Sequence, residues 1–360
     1  MIDTFIRHYL AVYKGYKAGK WCYEDGCFFK GLADLYRATG DEAFLDALIR
    51  WVNTQIKPDG TIVGYDQTAY SLDNLNAGKV LFLLDQKTDD GRYLTALGTL
   101  RDQLRSHPRT KEGNFWHKNI YPFQVWLDGL YMGLPFLAQF SLLYEKSASL
   151  ADVRRQFANV RRLLYDSPTG LYYHGYDETR KCPWADSDTG LSSCFWSRAM
   201  GWYLMALVDI CEILNENHSD HEFYARLLNE AADNIIRWQQ PTGLWMQIMD
   251  QSEKSGNYPE TSASAMFAYA LLKGRRLQIL EDRHHQAGER AMAGIAEYHL
   301  KLKGDQWEMG GICGMAGLGD GNGHFTYRDG SFTYYINEPV VVNDAKGVGP
   351  LMMARAEQLM

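Results

Sequence analysis

Hydrophobic residues recur with a helical period along almost the whole chain. In residues 39–56, "TGDEAFLDALIRWVNTQI", the apolar side chains follow a capping Asp41 and fall on one stripe of a 3.6-residue period. The preceding segment 24–40, "EDGCFFKGLADLYRATG", is apolar on more than one face and carries small residues, as a doubly buried helix does. The pattern therefore predicts an inner helix followed by an amphipathic outer helix.

The same order of a small-residue-rich inner helix and an amphipathic outer helix is repeated along the sequence. Further pairs are predicted at residues 71–104, 126–164, 196–236 and 260–300, and a last inner helix at 341–360 pairs with the N-terminal helix at 2–16. Repeated helix pairs indicate a solenoid or a closed ring, and small residues in every inner helix favour closure. We therefore predict an all-α fold, an (α/α)6 toroid of six hairpins, formed by one domain over residues 1–360.

This topology predicts one functional face. All inner helices run in the same direction, so their N-termini and the loops before them lie at the same end of the ring. Three long segments, 117–126, 170–196 and 310–339, precede inner helices, and segments of this length without regular structure are uncommon unless they have a function. The run "GLGDGNG" at 317–323 lacks the strand and lysine of a phosphate-binding loop, so we interpret it as a flexible lid or turn-rich loop.

Asp128 is the first candidate catalytic residue. It lies in "VWLDGLYMGLPFLAQF", a stretch that is otherwise almost wholly apolar, where an ionised carboxylate is costly. It is either a helix N-cap or a catalytic acid whose pKa is raised by apolar surroundings. Asp73 lies in a similar context, "SLDN", with the same two interpretations. If both approach each other, one is expected to hold its proton near neutral pH.

Other candidates lie in the loops and at the start of the fourth inner helix. His174 lies between tyrosines in "GLYYHGYD", and His117 and Lys118 add positive charge before the third inner helix. Arg198 lies between Trp196 and Trp202, which suits a carboxylate or a pair of sugar hydroxyls. The alternative for Arg198 is a structural role, in which its guanidinium ties two loops together.

Composition excludes several classes of function. The net charge of −7 argues against nucleic acid and anionic membranes as partners. Six scattered cysteines without a CxxC pair argue against a metal site or disulfides, and no apolar run reaches the roughly 20 residues that span a bilayer. The N-terminal sequence lacks the features of a secretion signal, so we expect a cytoplasmic protein. No cofactor motif is found, and 10 Trp in the sequence suit sugar stacking as well as a large core.

Several blocks resemble glycoside hydrolase family 105, the unsaturated rhamnogalacturonyl hydrolases. They are "FWHKNIYPFQVWLDGLYMGLPF", "YYHGYD", "FWSRAMGWYLMALVD" and "ETSASAMFAYAL". The resemblance implies an enzyme that hydrates the 4,5-double bond of an unsaturated galacturonic acid at the non-reducing end of a small pectin fragment. Asp128 would protonate C4, and Asp128 or Asp73 would orient the water that adds to C5.

The resemblance also implies the binding residues. The positions that match the subsite for the unsaturated sugar are His174, Trp196, Arg198 and Trp202, and those that match the pocket rim are His117 and Lys118. Three alternatives remain open: a family 88 unsaturated glucuronyl hydrolase acting on glycosaminoglycan fragments, a non-catalytic sugar-binding toroid, and a helical scaffold for a protein partner. The leaving sugar and the oligomeric state are not determined by the sequence.

Overall fold

The computed structural model describes residues 1–360 and contains thirteen α-helices. Their bounds are α1 Ile2–Val12, α2 Tyr23–Thr39, α3 Glu42–Gln55, α4 Leu81–Lys87, α5 Arg92–Ser106, α6 Leu127–Tyr144, α7 Leu150–Leu163, α8 Ser197–Leu214, α9 His221–Ile236, α10 Thr261–Arg276, α11 Asp282–Gly294, α12 Phe332–Asn337 and α13 Ala345–Leu359. Three short 3₁₀ turns, Gln67–Ala69, Leu72–Leu75 and Ala77–Val80, precede α4. A single π-helical turn, Ile295–His299, follows α11. None of the helices combines the length and apolarity needed to cross a bilayer.

Eight short strands lie in the loops. They are β1 Gln124–Trp126, β2 Tyr165–Asp166, β3 Leu171–Tyr172, β4 Gly175–Asp177, β5 Leu300–Lys303, β6 Gln306–Met309, β7 Ile312–Cys313 and β8 Val340–Val341. They form four antiparallel ribbons, which pair β1 with β4, β2 with β3, β5 with β6 and β7 with β8. The ribbon of β1 and β4 joins the two loops that precede α6 and α8.

The inner helices close into a ring, which confirms the predicted (α/α)6 toroid. In order they are α2, the turns that lead into α4, α6, α8, α10 and α13, and α13 returns to pack against α2. Glycines permit this close approach. A Cβ added at Gly349 of α13 would lie 2.4 Å from the carbonyl oxygen of Cys27, and one added at Gly26 would lie 2.7 Å from the nitrogen of Ala77. No larger side chain fits at these crossings.

The N-terminal helix α1 completes the outer layer, as predicted. Arg355 of α13 donates to both carboxylate oxygens of Asp3 at 2.8 and 2.9 Å. Phe5, Ile6 and Tyr9 of α1 are buried in the core. The predicted cap of α3 is also confirmed, because the Asp41 side chain accepts a hydrogen bond from the Ala43 nitrogen at 3.1 Å.

The second inner helix differs from the prediction. The sequence pattern predicts one continuous helix, but the backbone makes two 3₁₀ turns before the short α4. Asn76 donates from its side chain to the Tyr23 carbonyl at 2.9 Å, and the Leu72 nitrogen donates to the His117 carbonyl at 3.1 Å. Polar side chains in this segment favour turns over helix, and these tertiary bonds hold the tighter path. As a result, Asp73 lies on a turn.

Candidate functional site

Asp128 lies at the mouth of the barrel, in the first turn of α6. The N-cap of this helix is Trp126, and it makes no side-chain capping bond. Asp128 is therefore the second helical residue, and the N-cap interpretation is wrong. Its side chain is 13% exposed. The carboxylate is therefore not used to cap the helix and is available for chemistry.

His174 is the closest titratable partner of Asp128. Its Nε2 lies 3.2 Å from Asp128 Oδ2, although the alignment is too poor for either atom to count as hydrogen-bonded. On the other side of the ring, Nδ1 lies 2.6 Å from the hydroxyl of Tyr335. Burial raises the pKa of Tyr335 well above its ordinary value, so this hydroxyl keeps its proton and can hydrogen-bond to Nδ1 as donor or acceptor. This bond holds the imidazole ring in place beside Asp128.

The pKa of Asp128 differs from the sequence-based prediction. Burial raises it, but the neighbouring His174, and then His117, lower it by more, and the pKa lies below its ordinary value of 3.8. The expectation of a raised pKa is therefore wrong for the unliganded protein. Apolar surroundings favour the protonated acid only where no basic group faces it, and two histidines face this one.

Asp73 has a separate set of partners. Its Oδ2 lies 2.5 Å from Lys118 Nζ, and its Oδ1 lies 3.6 Å from His117 Nε2. Burial lowers the pKa of Lys118, but the charge of Asp73 raises it by more, so this lysine remains an ammonium. Burial lowers the pKa of His117 to about 4, which makes it a neutral imidazole at pH 7. The N-cap interpretation of Asp73 is also wrong, because Ser71 occupies the N-cap position of this turn and Asp73 lies inside it.

Backbone hydrogen bonds gather these five residues from four segments. The His117 nitrogen donates to the Gln124 carbonyl at 2.9 Å, and the Leu127 nitrogen donates to the His174 carbonyl at 3.0 Å. A Cβ added at Gly129 would lie 2.9 Å from a methyl group of Leu72 and 3.3 Å from His117 Nδ1. The start of α6 thus packs directly on the turn that carries Asp73. The charges of both aspartates act on His117, which lies within reach of each.

A continuous row of rings surrounds the carboxylates. His117 stacks on Trp126 with centroids 4.5 Å apart, and Trp126 contacts His174 at 5.3 Å. His174 contacts Trp196 at 4.8 Å, and Trp196 stacks on Tyr335 at 5.8 Å. Trp126 and Tyr335 are not among the candidate residues that the sequence indicates. Trp126 could have been found from its place two residues before Asp128, whereas nothing in the sequence around Tyr335 links it to His174.

Arg198 and Trp202 are more deeply buried than the other candidates. Arg198 is 2% exposed, and its Nη1 donates to Ser262 Oγ at 3.2 Å and to the carbonyl of Cys313. This tie between α8, α10 and the last long loop matches the structural alternative. Trp202 is 1% exposed and stacks on Tyr131 at 5.1 Å, below the mouth and inside the barrel. The contacts of both residues with a sugar stay a prediction.

Other acidic residues at the same end of the ring have structural partners. The Glu260 carboxylate accepts hydrogen bonds from the nitrogens of Ser262, Ala263 and Cys313. Asp344 caps α13 through the Lys346 nitrogen at 2.9 Å. These bonds use the oxygens that catalysis would need, which favours Asp73 and Asp128 over Glu260 and Asp344 as acidic candidates.

The glycine-rich segment packs beside the site as a series of turns. Arg328 donates to the Gly319 carbonyl at 2.8 Å and to the Tyr121 hydroxyl at 2.6 Å. Leu318 packs in a small apolar cluster with Tyr121 and Trp126. All six cysteines are free thiols, and no group of three or more His, Cys, Asp or Glu side chains is arranged to hold a metal ion.

The sequence and fold match known glycoside hydrolases. The family model described as Glycosyl Hydrolase Family 88 matches residues 1–360. Protein Atu3128 of Agrobacterium fabrum is 45% identical over 234 residues, which are 64% of this chain and 99% of that protein. The unsaturated rhamnogalacturonyl hydrolase YesR of Bacillus subtilis is 28% identical over 263 residues, which are 71% of this chain and 72% of that protein.

A solved structure matches this chain over almost its whole length. The C. acetobutylicum protein described as a glycoside hydrolase from family 105 superimposes with a TM-score of 0.93 and is 41% identical. The match covers 99% of this chain and 98% of that one. The chain therefore belongs to glycoside hydrolase family 105, among the sequences that the family 88 model describes.

Proposed function

We propose that this enzyme releases an unsaturated galacturonic acid from the non-reducing end of small, rhamnose-containing pectin fragments by hydrating the 4,5-double bond. The similarity to YesR, whose name states this activity, supports the choice of substrate. The observation that carries the proposal is the pair of carboxylates at the barrel mouth. Asp128 has no aligned hydrogen bond on Oδ2. Asp73 is a carboxylate that forms an ion pair with the Lys118 ammonium.

In the proposed first step, Asp128 transfers a proton to C4. The electrons of the double bond form the new C4–H bond, and the ring oxygen stabilises the positive charge that develops at C5. Water then adds to C5 and gives its proton to a carboxylate, for which Asp73 or the newly ionised Asp128 is suited. The resulting hemiketal breaks its bond between C5 and the ring oxygen. This leaves a hemiacetal at C1, which expels the leaving sugar.

Because the pKa of Asp128 is low in the unliganded enzyme, the first step requires that substrate binding raise it. The unliganded enzyme presents Asp128 as a carboxylate, but protonation of carbon requires the acid form. The substrate brings its own carboxylate beside Asp128 and displaces water, and both effects raise the pKa of an acid. We therefore propose that Asp128 takes up its proton when the substrate binds, while His174 fixes its position.

Lys118 and His117 suit the recognition of the anionic sugar. The Lys118 side chain is 25% exposed at the mouth and carries a positive charge next to Asp73. His117 is neutral and its Nδ1 is buried against Gly129, so its part in binding is to position Asp73, which faces its Nε2. The six free thiols support our proposal of a cytoplasmic location, because reducing compartments preserve free cysteines.

An absorbance assay tests the substrate. The conjugated double bond absorbs ultraviolet light, and hydration removes this absorbance. We expect rapid loss with unsaturated galacturonyl-rhamnose and much slower loss with the unsaturated chondroitin disaccharide. Faster turnover of the chondroitin product would favour a glucuronyl hydrolase, and no loss with either would leave a sugar-binding protein without this activity.

A further inference from the structure

A second polar cavity lies on the barrel axis, at the end opposite Asp128. Its volume is about 320 Å³. Most of the residues that line it belong to later turns of the inner helices; its polar lining includes Lys30, Lys79, Gln139, Asp209, Glu212 and Lys273. Gln139 lies eleven residues after Asp128 on α6, which is about 16 Å along the helix axis. The cavity is therefore separate from the site described above.

The carboxylates of this cavity already have cationic partners. Lys273 Nζ lies 2.7 Å from both Asp209 Oδ1 and Glu212 Oε2. Behind the cavity wall, Asp34 pairs with Lys30 and with Arg37. Buried charges persist when they are paired in this way. Neither Asp209 nor Glu212 is left without a positive neighbour.

Lys79 is the exception. The residue is only 6% exposed, and its Nζ has no hydrogen-bond partner among the protein atoms. Its ammonium lies 3.0 Å above the ring centroid of Tyr131, which is its one favourable contact of this kind. Burial lowers the pKa of Lys79 well below its ordinary value, and the charge of Asp209 offsets this only in part. No carboxylate lies within hydrogen-bonding distance of Nζ to act as its counter-ion. An anion in the cavity would supply that counter-ion.

The lining indicates the class of ligand. One unmatched cation calls for one negative charge, and a carboxylate provides it. Asp209, Glu212 and the amide of Gln139 offer acceptors for hydroxyl groups, and Pro135 and Ile213 are the apolar residues of the lining. We propose that this cavity is a second binding site, which takes a small hydroxylated monocarboxylate of the sugar-acid class with its carboxylate on Lys79.

The size and walls of the cavity agree with this class. A volume of about 320 Å³ lies at the low end of small-molecule sites and suits one sugar ring. Tyr131, with Lys79 on its ring, stacks on Trp202 between the cavity and the mouth. A ligand at Lys79 is thus separated from the catalytic carboxylates by two aromatic rings. Binding there is independent of the reaction proposed for Asp128.

Methyl NMR on the intact protein tests this site directly. Ile213 lines the cavity, and its methyl signal can be assigned with the Ile213→Val variant. We expect D-galacturonate, which has no double bond, to shift this signal in a saturable manner at millimolar or lower concentration, and neutral D-galactose to leave it unchanged. Acetate is the control for charge without hydroxyl groups and is expected to bind more weakly.

Two variants separate the site from a general charge effect. Lys79→Met should weaken galacturonate binding by at least about 10-fold, because the charge-assisted bond is lost. Lys87→Met removes an exposed positive charge from the same segment and should leave binding unchanged. No Ile213 shift with galacturonate, an equal shift with galactose or acetate, or unaltered binding by Lys79→Met would overturn the proposal. The readout needs no turnover, so it stands whether or not the absorbance assay succeeds.

Discussion

The two ends of the barrel axis both carry clusters of charged residues, but the carboxylates of the two clusters differ in their hydrogen bonding. At the far end, Asp209 accepts hydrogen bonds from Lys273 at 2.7 Å and from Tyr269 at 2.6 Å. At the mouth, Asp128 Oδ2 and His174 Nε2 lie 3.2 Å apart without an aligned bond. Breaking a buried ion pair destabilises a core, whereas loosely held charges are available to a substrate.

The acidic residues at the mouth also differ from one another in how many of their oxygens accept hydrogen bonds. Glu260 is as deeply buried as any residue of the core, yet its oxygens are occupied by backbone nitrogens. Asp128 begins a helix of similar length and has no such bonds on Oδ2. Position at an inner-helix start is thus insufficient for catalysis, and the unpartnered Oδ2 distinguishes Asp128 from Glu260.

Asp128→Asn should have the largest effect on activity. The amide has nearly the same shape but cannot donate a proton to carbon, so kcat should fall by about 10³-fold. The free energy of unfolding should change little, because Oδ2 has no aligned bond to lose. Absorbance loss and denaturant unfolding measure the two quantities. Turnover close to that of the wild type would remove Asp128 from the mechanism.

Asp34→Asn makes the same chemical change at the far end and should have the opposite result. Asp34 is 4% exposed and pairs with Lys30 and Arg37. Removing one partner of a buried pair lowers the free energy of unfolding by about 3 kcal/mol. Turnover per folded molecule should stay at the wild-type level. A large loss of kcat in this variant would show that the two ends are coupled in catalysis.

Tyr335→Phe should have an intermediate effect by releasing His174. The variant loses the 2.6 Å hydrogen bond to Nδ1, so the imidazole ring is no longer held in its position beside Asp128. We expect kcat to fall by about 10-fold, the worth of one hydrogen bond. The pKa of Asp128 should rise, which moves the fall of kcat/KM to higher pH. An unchanged pH profile would mean that Tyr335 only fills space.

The smallest effect concerns the pH profiles of the wild-type enzyme. Because an acid must be protonated to act, activity falls as pH rises through its pKa. The profile of kcat/KM reports the unliganded enzyme, in which the pKa of Asp128 is lowered, and that of kcat reports the complex. We expect the pH at which kcat falls to half its maximum to be at least about one unit higher than the corresponding pH for kcat/KM. Coincident profiles would contradict proton uptake on substrate binding.

Most of the fold could be predicted because helical periodicity and the small residues of the inner helices are visible within each local segment of the sequence. The helix at 42–55, its Asp41 cap and the closing role of the N-terminal helix all follow from such patterns. The 3₁₀ turns before α4 do not, because the bonds of Leu72 and Asn76 reach partners that are distant in sequence. Tertiary contacts override helix propensity there.

The candidate site was accessible in part for the same reason. Asp73, Asp128, His117, Lys118 and His174 are brought together as the shared helix direction implies. The pKa of Asp128 was not accessible, since its sign depends on which groups face the carboxylate. Tyr335 lies 161 residues from His174, and only the closed ring brings their polar atoms within 2.6 Å.

Deuterium incorporation tests most directly the claim that catalysis begins with protonation of the double bond. Wild-type enzyme is allowed to hydrate unsaturated galacturonyl-rhamnose in D₂O, the reaction is quenched at once, and the product is analysed by NMR, with isolated product held in D₂O as the control for later exchange. The mechanism predicts one deuterium at C4 for each rhamnose released. Release of rhamnose with no deuterium at C4 would place the attack at the anomeric carbon and contradict it.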